Sequence, residues 1–400
     1  MGIVSCLGLT LDDVSDALQN GRSGIVLDHA RVEAGFRSPL TGQVKGFDPK
    51  NWGLKRKHLK TMGEPAQYAY AAARDAIADA QLTQEDITNH RCGLIMGNDS
   101  TAKAVVQSHE AWRKDGATRF IGSGYIFQGM NSTITMNLAT YLGIQGANWT
   151  VSGACASGAH AIGQALYLIR SGIQDIVLAG GAQETNMESM GSFDALSAFS
   201  TRTDAPETAS RPFDANCDGL VPSGGGACLV LESLDRARAR GARIYGIVRG
   251  YGFSSNGTPH LSRPTSQGAS AAMNMALEDA QANPDEIDYV SAHATSTPLG
   301  DTVEATAIAE VLGANVPVSS TKSMTGHECW MAGASEVVYT CLMARDRFLA
   351  PNINFDRLGD DSPTINVISE STPAEIGLAI SDSFGFGGTN AVLVLDFNKN

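Results

Sequence analysis

Apolar and polar positions along this chain fall into blocks that predict helices followed by buried strands. Residues 71–81 (AAARDAIADAQ) and 271–281 (AAMNMALEDAQ) have the apolar spacing of helices that bury one face. Each passes through an acidic turn into a short apolar run, residues 92–96 in the first case and 289–292 in the second. Runs of this length predict buried strands. The same order of helix, turn and strand therefore occurs twice, with an offset of 200 residues.

A second pair of matching segments follows these units. Residues 148–152 form a β-rich run that turns at Gly153-Ala154-Cys155 into a helical stretch. Residues 316–320 form another, which turns near Gly326-His327 into a helix that reaches about Arg345. Small residues begin both helices and would let the two backbones approach closely. Further strand-like runs are residues 175–181, 227–232 and 391–395.

These repeats predict an α/β fold built from two halves, residues 1–240 and 241–400. Alternating helices and buried strands in both halves indicate packed sheets. A chain of 400 residues also exceeds the length at which one core usually stops growing. The N-terminal half carries an extra segment, roughly residues 101–145, which is too long for an ordinary connection. We expect it to pack across a partner subunit or to cover a pocket.

Composition excludes several classes of protein. The 43% hydrophobic and 18% charged content is typical of a globular protein with a large core. A formal net charge of −13 argues against general nucleic-acid binding. The seven cysteines are scattered without CxxC pairs, which argues against a disulfide framework or a zinc cluster. The sequence has neither an apolar run of membrane-spanning length nor a signal-peptide pattern, so we expect a cytoplasmic protein.

Cys155 is the candidate nucleophile. It lies among small residues at the predicted turn from strand to helix, in the segment VSGACASGAH. A helix N-terminus offers free N–H groups and a partial positive charge, which we expect to lower the pKa of the thiol and activate it. A free cysteine is more often a buried structural residue, which is our interpretation of the other six.

Two histidine segments favour the catalytic interpretation. His293 follows a predicted strand in SAHATSTP, and His327 lies at the corresponding turn of the second half in TKSMTGHECW. Functional residues of parallel sheets cluster at the carboxyl ends of strands. One histidine at a strand end is more often structural, as we interpret His160, but two at matching positions indicate catalysis. A thiol with two imidazoles predicts acyl transfer through a thioester and carbon–carbon bond formation.

Together these motifs resemble the elongating β-ketoacyl-acyl-carrier-protein synthases of type II fatty acid synthesis. The likeness lies in GACASGAH, SAHATSTPLGD, SSTKSMTGHE, SDSFGFGGTNA and residues 209–232, and it covers essentially the whole chain. It implies thiolase-like duplicated α/β halves that form a layered α-β-α-β-α sandwich, and a homodimer. The implied activity is decarboxylative Claisen condensation of an acyl thioester with malonyl-acyl carrier protein, giving 3-oxoacyl-acyl carrier protein. The substrate would be carried on the phosphopantetheine of the carrier, with no other cofactor and no metal.

The resemblance also implies roles for the residues that take part in the chemistry. Cys155 would accept the acyl chain as a thioester. Neutral His293 and His327 would donate hydrogen bonds to the malonyl thioester carbonyl and stabilise the enolate. The backbone N–H groups of Cys155 and Phe386 would form an oxyanion hole. Phe386 would gate the acyl pocket, with Phe384 beside it in the substrate site; the glycines around them do not have the spacing of a phosphate-binding P-loop.

Five further residues receive supporting roles by resemblance. Lys322 would pair with Glu336 and hold the His327 region, and Glu304 would support the wall near His293. Thr295 and Thr297 would bind the pantetheine arm of the carrier. The alternative for the two threonines is to cap the following helix.

The sharpest basic cluster in this acidic chain is residues 55–60 (KRKHLK). Arg56, Lys57 and Lys60 match the family's docking residues for an acidic carrier protein, whose encounter rate local charge would raise. An ordinary solvated face is the alternative for this cluster.

The chain departs from the family pattern at two places. Glu328-Cys-Trp-Met331 follows His327 where relatives have small, Gly-rich residues. We expect Trp330 to pack beneath the active site and shape its wall, and the charge of Glu328 to raise the pKa of His327. Relatives also carry a further strand ending just before Met1, so either the start is displaced or one sheet has no first strand.

Three alternatives to fatty acid elongation remain. A ketosynthase of a polyketide or aryl-polyene pathway would use the same residues on another chain. A non-catalytic chain-length partner subunit would keep the fold without the thiol, and Cys155 argues against it. A thiolase would use coenzyme A, and it does not explain His327 together with Lys322.

Overall fold

The strands and helices follow the predicted alternation closely. The structure, a computed structural model, describes residues 1–398. The strands are β1 (Gly2–Val4), β2 (Ile25–Leu27), β3 (Leu40–Gly42), β4 (Cys92–Gly97), β5 (Asn148–Val151), β6 (Ile176–Gln183), β7 (Gly225–Glu232), β8 (Ile247–Ser255), β9 (Tyr289–Ser291), β10 (Pro317–Ser319), β11 (Phe348–Leu349), β12 (Asn366–Val367), β13 (Thr372–Pro373), β14 (Leu378–Phe384) and β15 (Thr389–Asp396).

Helices separate most of these strands. They are α1 (Leu11–Gln19), α2 (His29–Glu33), α3 (Arg56–Leu59), α4 (Glu64–Asp79), α5 (Gln84–Ile87), α6 (Lys103–Asp115), α7 (Tyr125–Gly129), α8 (Thr133–Leu142), α9 (Ser157–Arg170), α10 (Met187–Ala195), α11 (Leu234–Ala239), α12 (Ser266–Ala280), α13 (Pro298–Leu312), α14 (Lys322–Thr325) and α15 (Ala332–Asp346). Within residues 1–398, none of them combines the length and apolar character needed to cross a bilayer.

The two large sheets have the same internal order, which confirms the predicted duplication. The first sheet runs β1-β7-β6-β4-β5, and the second runs β8-β15-β14-β9-β10 with β12 added at its edge. In both sheets the first two pairings are antiparallel and the next two are parallel. Both halves of the chain therefore contain a five-stranded unit with the same strand order and the same strand directions.

Helices cover the sheets in layers. α4 packs on the first sheet, α12 packs on the second, and α9 and α15 contact each other and both sheets between them. The resulting α-β-α-β-α sandwich confirms the fold expected from the resemblance. The two central helices approach closely at Gly158 and Gly333: a Cβ atom there would lie 2.9 Å from the backbone nitrogen of Ala334 and 2.7 Å from that of Ala159. The small residues that begin both helices are thus required by this contact.

The long segment at residues 101–145 folds into helices α6, α7 and α8. The last of these, α8, lies between β4 and β5 in sequence and packs on α4. In the second half α13 lies between β9 and β10 and packs on α12 in the same way. Within the segment 101–145, residues 101–132 are therefore the part without a counterpart between β9 and β10. This part exposes large apolar side chains, among them Trp112, Phe120 and Ile126.

The first sheet has a strand at the position where the sequence left one in doubt. Gly2–Val4 pairs antiparallel with residues 226–228 of β7 and forms the edge of the sheet. β8 takes the equivalent place in the second sheet. The expectation of a sheet without a first strand is therefore wrong.

Candidate active site

Cys155 lies where β5 turns into α9, as predicted. A 3-10 turn, Ala154–Ala156, precedes the first residue of α9, Ser157. The Ser157 hydroxyl accepts a hydrogen bond from the Gly153 N–H at 2.9 Å and donates one to the Ala154 carbonyl at 2.6 Å. Ala154 has a φ of +46°, an uncommon conformation for a residue with a Cβ atom. A strained and locked turn therefore presents the sulfur at a helix N-terminus.

The structure brings both predicted histidines to this sulfur. His293 follows the carboxyl end of β9, and His327 follows α14. Nε2 of His327 lies 2.9 Å from Sγ of Cys155. The two imidazole rings are 5.3 Å apart and nearly perpendicular, and one nitrogen of each ring lies within 4.8 Å of the sulfur and of the other. Residues distant in sequence thus form one three-membered cluster.

Burial keeps all three groups neutral in the resting site. Removal from water raises the pKa of the Cys155 thiol to about 12, and the positive charge of Lys322 and the backbone N–H groups of Cys155 and Phe386 offset only part of this effect. The backbone N–H groups at the turn lower this pKa as predicted, but burial outweighs them, so the expected activation of the thiol is absent from the resting site. Burial lowers the pKa of His293 and of His327 well below the usual value, and Lys322 acts in the same direction.

Lys322 and Glu336 form the buried ion pair that the resemblance implied. Lys322, on α14, is 2% exposed, and Glu336, on α15, is 1% exposed. Nζ of Lys322 donates to Oε1 of Glu336. Burial raises the pKa of the Glu336 carboxyl to about 7, although Lys322 opposes the shift. The pair therefore sets a positive charge behind the two imidazoles and ties α14 to α15.

Two acids of α13 hold the backbone that carries His293. Oε1 of Glu304 accepts a hydrogen bond from the N–H of His293 at 2.7 Å. Asp301, which the sequence analysis did not single out, accepts from the N–H groups of Thr295 at 3.0 Å and Thr297 at 3.2 Å. Asp301 ends the quoted motif SAHATSTPLGD, so the signal was present as a carboxylate four residues beyond the turn.

These residues open onto one cleft of about 410 Å³, the active-site cleft. Of the predicted residues it is lined by Cys155, His293, His327, Thr295, Thr297, Glu304, Phe384 and Phe386. Phe386 is 39% exposed and is followed by Gly387 and Gly388, both with a φ of +79° that favours glycine. Thr297 begins α13, but within residues 1–398 its hydroxyl makes no capping hydrogen bond. The capping alternative is therefore wrong for Thr297.

Trp330 lies against the nucleophile, as predicted. It is 4% exposed and forms a buried apolar cluster with Cys155 and Cys329, against which Phe193 packs. Its indole N–H has no hydrogen-bond partner within residues 1–398. Phe193 and Cys329 also line the cleft, and Phe193 could not be found from the sequence because α10 carries no recognisable motif.

Glu328 is bound by groups other than the neighbouring imidazole. Its carboxylate accepts hydrogen bonds from the hydroxyl groups of Ser5 at 3.0 Å, Tyr339 at 2.9 Å and Ser335. The prediction that Glu328 raises the pKa of His327 is wrong, since burial lowers that pKa. Glu328 instead joins the start of the chain to α15.

The predicted docking cluster comprises α3 and the residue at each of its ends, and none of it lines the cleft. Lys55, Arg56, Lys57 and Lys60 are exposed. Nε2 of Gln128 donates a hydrogen bond to the Lys60 carbonyl at 3.0 Å, so the segment 101–132 packs beside the cluster.

The cluster of one thiol and two imidazoles also has the donor types that zinc prefers. Metal binding requires the thiol to lose its proton. Burial of Cys155 and the positive charge of Lys322 beside it both work against a cation at this point. The arrangement suits a neutral nucleophile with two hydrogen-bonding imidazoles better.

Comparisons with known proteins agree with this geometry. Two family models match the chain: β-ketoacyl synthase, N-terminal domain, over residues 1–237, and β-ketoacyl synthase, C-terminal domain, over residues 245–356. The 3-oxoacyl-[acyl-carrier-protein] synthase 1 of Haemophilus influenzae is 42% identical over 397 residues, which cover 98% of this chain and 96% of that protein.

Solved structures match over the full chain. The crystal structure of a β-ketoacyl synthase from Burkholderia phymatum STM815 has a TM-score of 0.94 at 34% identity, covering 100% of this chain and 98% of that one. A type II polyketide ketosynthase, bound to its hexaketide and in complex with its acyl-carrier protein, has a TM-score of 0.88 at 31% identity, with the same coverage.

Proposed function

The chain belongs to the β-ketoacyl synthase family, and on this premise we propose that it is an acyltransferase catalysing decarboxylative Claisen condensation. An acyl thioester would react with malonyl-acyl carrier protein to give 3-oxoacyl-acyl carrier protein, as in fatty acid elongation. The observation that carries the proposal is the approach of His327 Nε2 to within 2.9 Å of Cys155 Sγ, with His293 beside both.

The first step loads the enzyme. The Cys155 sulfur attacks the carbonyl carbon of the acyl thioester as its proton passes to Nε2 of His327, the nearest acceptor. This transfer accompanies the attack because the resting thiol and imidazole are both neutral. The bond between the acyl carbon and the carrier sulfur then breaks, and the departing thiolate takes the proton from His327. The acyl chain is left as a thioester on Cys155.

The second step forms the new carbon–carbon bond. The malonyl carboxylate leaves as carbon dioxide, and the electron pair of the broken bond forms an enolate of the carrier thioester. His293 donates an N–H hydrogen bond to the enolate oxygen, and His327 does the same once its proton has moved from Nδ1, where the loading step leaves it, to Nε2. The enolate carbon attacks the Cys155 thioester, and the tetrahedral adduct expels the Cys155 thiolate, which takes a proton from solvent. Fixed donors in a buried site stabilise both anions without reorganising.

Backbone N–H groups provide the oxyanion hole in both steps. The N–H groups of Cys155 and Phe386 both lower the pKa of the Cys155 thiol, as donors close to the sulfur would. They would stabilise the negative charge that develops on the carbonyl oxygen of a Cys155 thioester. Phe386, which is partly exposed and flanked by glycines, serves as the gate between the thiol and the acyl pocket.

An acyl carrier protein would deliver both substrates on its phosphopantetheine arm. Thr295 and Thr297 line the cleft with hydroxyls 3.1 Å apart, and they would bind the arm. The exposed cations Arg56 and Lys57 on α3, and Lys60 directly after it, would bind the acidic carrier. The ketosynthase structure at 31% identity, which contains its own carrier protein, supports this partner.

A homodimer would complete the molecule. β5 is an edge strand of the first sheet, and its Trp149 is 50% exposed. Unpaired edge strands with exposed apolar side chains are ready to pair with another chain. Residues 101–132 would pack across the same partner. Sedimentation at micromolar concentration should show a dimer, and a monomer alone would contradict the assignment. The reaction needs Cys155 as a free thiol, which fits the cytoplasm.

The experiment that tests the function follows the acyl group. The protein is incubated with an acyl-carrier thioester and malonyl-carrier, and intact mass spectrometry measures the adduct and the product. We expect one acyl adduct on Cys155, release of carbon dioxide and a 3-oxoacyl product. A protein that forms no adduct and releases no carbon dioxide would not be a condensing enzyme. A polyketide or aryl-polyene product would instead keep the mechanism and change the pathway.

A further inference from the structure

A row of three aromatic rings bounds the active-site cleft beside the nucleophile. The rings of Trp330 and Phe193 are 6.1 Å apart at an angle of 51°, and those of Phe193 and Phe199 are stacked 6.3 Å apart. All three side chains line the cleft. Trp330 is the ring that shares a buried apolar cluster with Cys155, so an acyl chain bound to the sulfur begins near it.

The turn that carries Trp330 is fixed from several sides. It is a 3-10 turn, Cys329–Met331, and Cys329 has a φ of +46°. Before the turn, Glu328 accepts hydrogen bonds from Ser5 and from two side chains of α15. After Trp330, Met331 packs without exposure in the central core. Because buried hydrogen bonds and a close-packed core resist displacement, the backbone that carries the indole ring is held in place beside the cleft.

The space available is small. The cleft holds about 410 Å³, toward the lower end of the range of about 300–1,000 Å³ for small-molecule pockets. In the proposed reaction this volume holds the malonyl group, the end of the pantetheine arm and the first carbons of the acyl chain, up to the Phe386 gate. A long acyl chain would have to pass between this gate and the aromatic rings that narrow the cleft.

We propose that Trp330 is a specificity-determining residue that restricts the acyl group on Cys155 to short, unbranched chains. This inference rests on the condensing function proposed above and adds the substrate class. The ring occupies the place that a longer or branched chain would take, and it offers a flat apolar face to the first carbons of a short one. Glu328 acts through Trp330 as a positioning residue, since it fixes the turn without lining the cleft.

The test compares loading of Cys155 by butyryl-, octanoyl- and palmitoyl-carrier, measured by intact mass spectrometry in the full-length protein. We expect the wild type to load butyryl much faster than palmitoyl. Trp330→Ala should raise the ratio of palmitoyl to butyryl loading by about tenfold or more, because one methylene in an apolar pocket shifts discrimination by about 10- to 200-fold. Trp330→Phe keeps a smaller ring and should shift the ratio in the same direction by less.

Met331→Ala is the matched control. It removes a large buried side chain from the same turn, so it destabilises the fold without opening the wall beside Cys155. Its loading ratio should stay at the wild-type value. If Trp330→Ala changes the ratio no more than Met331→Ala, or if the wild type loads palmitoyl as fast as butyryl, the proposal is overturned. If Trp330→Ala does not fold, Trp330→Phe is judged against the same control.

Carbon dioxide release from malonyl-carrier by the wild type distinguishes a failure of the proposed role of Trp330 from a failure of the proposed condensing function. Release together with equal loading of all chains overturns the role of Trp330 and leaves the condensing function in place. Failure to load any chain, without release, overturns the condensing function and the assignment of Trp330 with it.

Discussion

The two halves of the molecule contain the same backbone turn, but the side chains on the two turns differ. In the first half the 3-10 turn Ala154–Ala156 leads into α9, and in the second half Cys329–Met331 leads into α15. The first residue of each turn has a φ of +46°, so the middle residues, Cys155 and Trp330, are structurally equivalent. One backbone therefore presents a small nucleophile in one copy and a large aromatic ring in the other. In our proposal the second copy shapes the site for the group bound to the first.

The second turn also brings the electrostatic control of the site. His327 precedes it, and Lys322 and Glu336 lie on the helices at either side. The charge of Lys322 lowers the pKa of both imidazoles and of the Cys155 thiol. The duplication thus divides the work: the first half supplies the reactive sulfur, and the second supplies the groups that set its protonation.

The largest effect should come from removing the side chain that distinguishes the first turn. Cys155→Ala deletes one sulfur atom from a turn already rich in small residues, so the fold should persist and condensation should be abolished. Intact mass spectrometry after incubation with acyl-carrier should detect no adduct, while the melting temperature stays close to the wild-type value. An adduct that persists in this variant would place the nucleophile on another cysteine, and Cys155 would then not be the catalytic residue.

Removing either histidine should separate the two steps of the reaction. His293→Ala and His327→Ala should lower decarboxylation of malonyl-carrier by about 100- to 1,000-fold, because each deletes one donor to the developing enolate. Some acyl loading of Cys155 should remain in both. His327→Ala should load more slowly than His293→Ala, since only His327 lies 2.9 Å from the sulfur. A variant that decarboxylates at the wild-type rate would make that histidine structural.

Short motifs made much of this site predictable from the sequence. Cys155 and His293 each follow a strand, His327 follows the short helix after β10, and the repeated order of elements placed the two turns in equivalent positions. Lys322 and Glu336 are 14 residues apart and pair across neighbouring helices as expected. Local pattern and duplication together decide which side chains reach the carboxyl edge of a sheet.

The pKa values were not predictable, because desolvation depends on the packing of the whole molecule. The helix N-terminus beside Cys155 was visible in the sequence, but the burial that outweighs it was not. The partners of Glu328 include Ser5, which is 323 residues away, so its engagement could not be read from its neighbours. The contact between Trp330 and Phe193 likewise depends on how two separate segments pack.

Removing the positive charge of Lys322 should shift the acidic side of the pH–rate profile for loading of Cys155 to higher pH. Lys322 disfavours the imidazolium form, so Lys322→Met should raise the pKa of His293 and His327 toward the usual value. His327 would then be protonated, and unable to accept the thiol proton, at a higher pH than in the wild type. Single-turnover loading of Cys155 should therefore lose its rate at a higher pH as the solution is acidified.

The matched control for this shift is Glu336→Gln, which removes the acid and keeps the positive charge. The acidic side of its pH–rate profile for loading of Cys155 should not move to higher pH. The unpaired carboxyl that Lys322→Met leaves behind is not a complication, because the pKa of buried Glu336 is already about 7 and rises further when Lys322 is removed. If Lys322→Met and the wild type lose their loading rate at the same acidic pH, burial alone keeps the imidazoles neutral.

The smallest effect should come from charge that lies outside both turns. Lys57→Glu with Lys60→Glu reverses two exposed cations on α3 and touches no residue that lines the cleft. The KM for carrier-bound substrate should rise by roughly tenfold at low salt, since each exposed charge pair contributes about 0.2–1 kcal/mol and reversal adds repulsion. The kcat should stay constant because docking precedes the chemistry. The difference should shrink when salt reduces the screening length below about 10 Å. A pantetheine-bound substrate without its carrier should show no difference between the two enzymes. An unchanged KM at low salt would make this cluster an ordinary solvated face. A changed kcat would mean that α3 affects the chemistry at the two turns and not only the docking of the carrier.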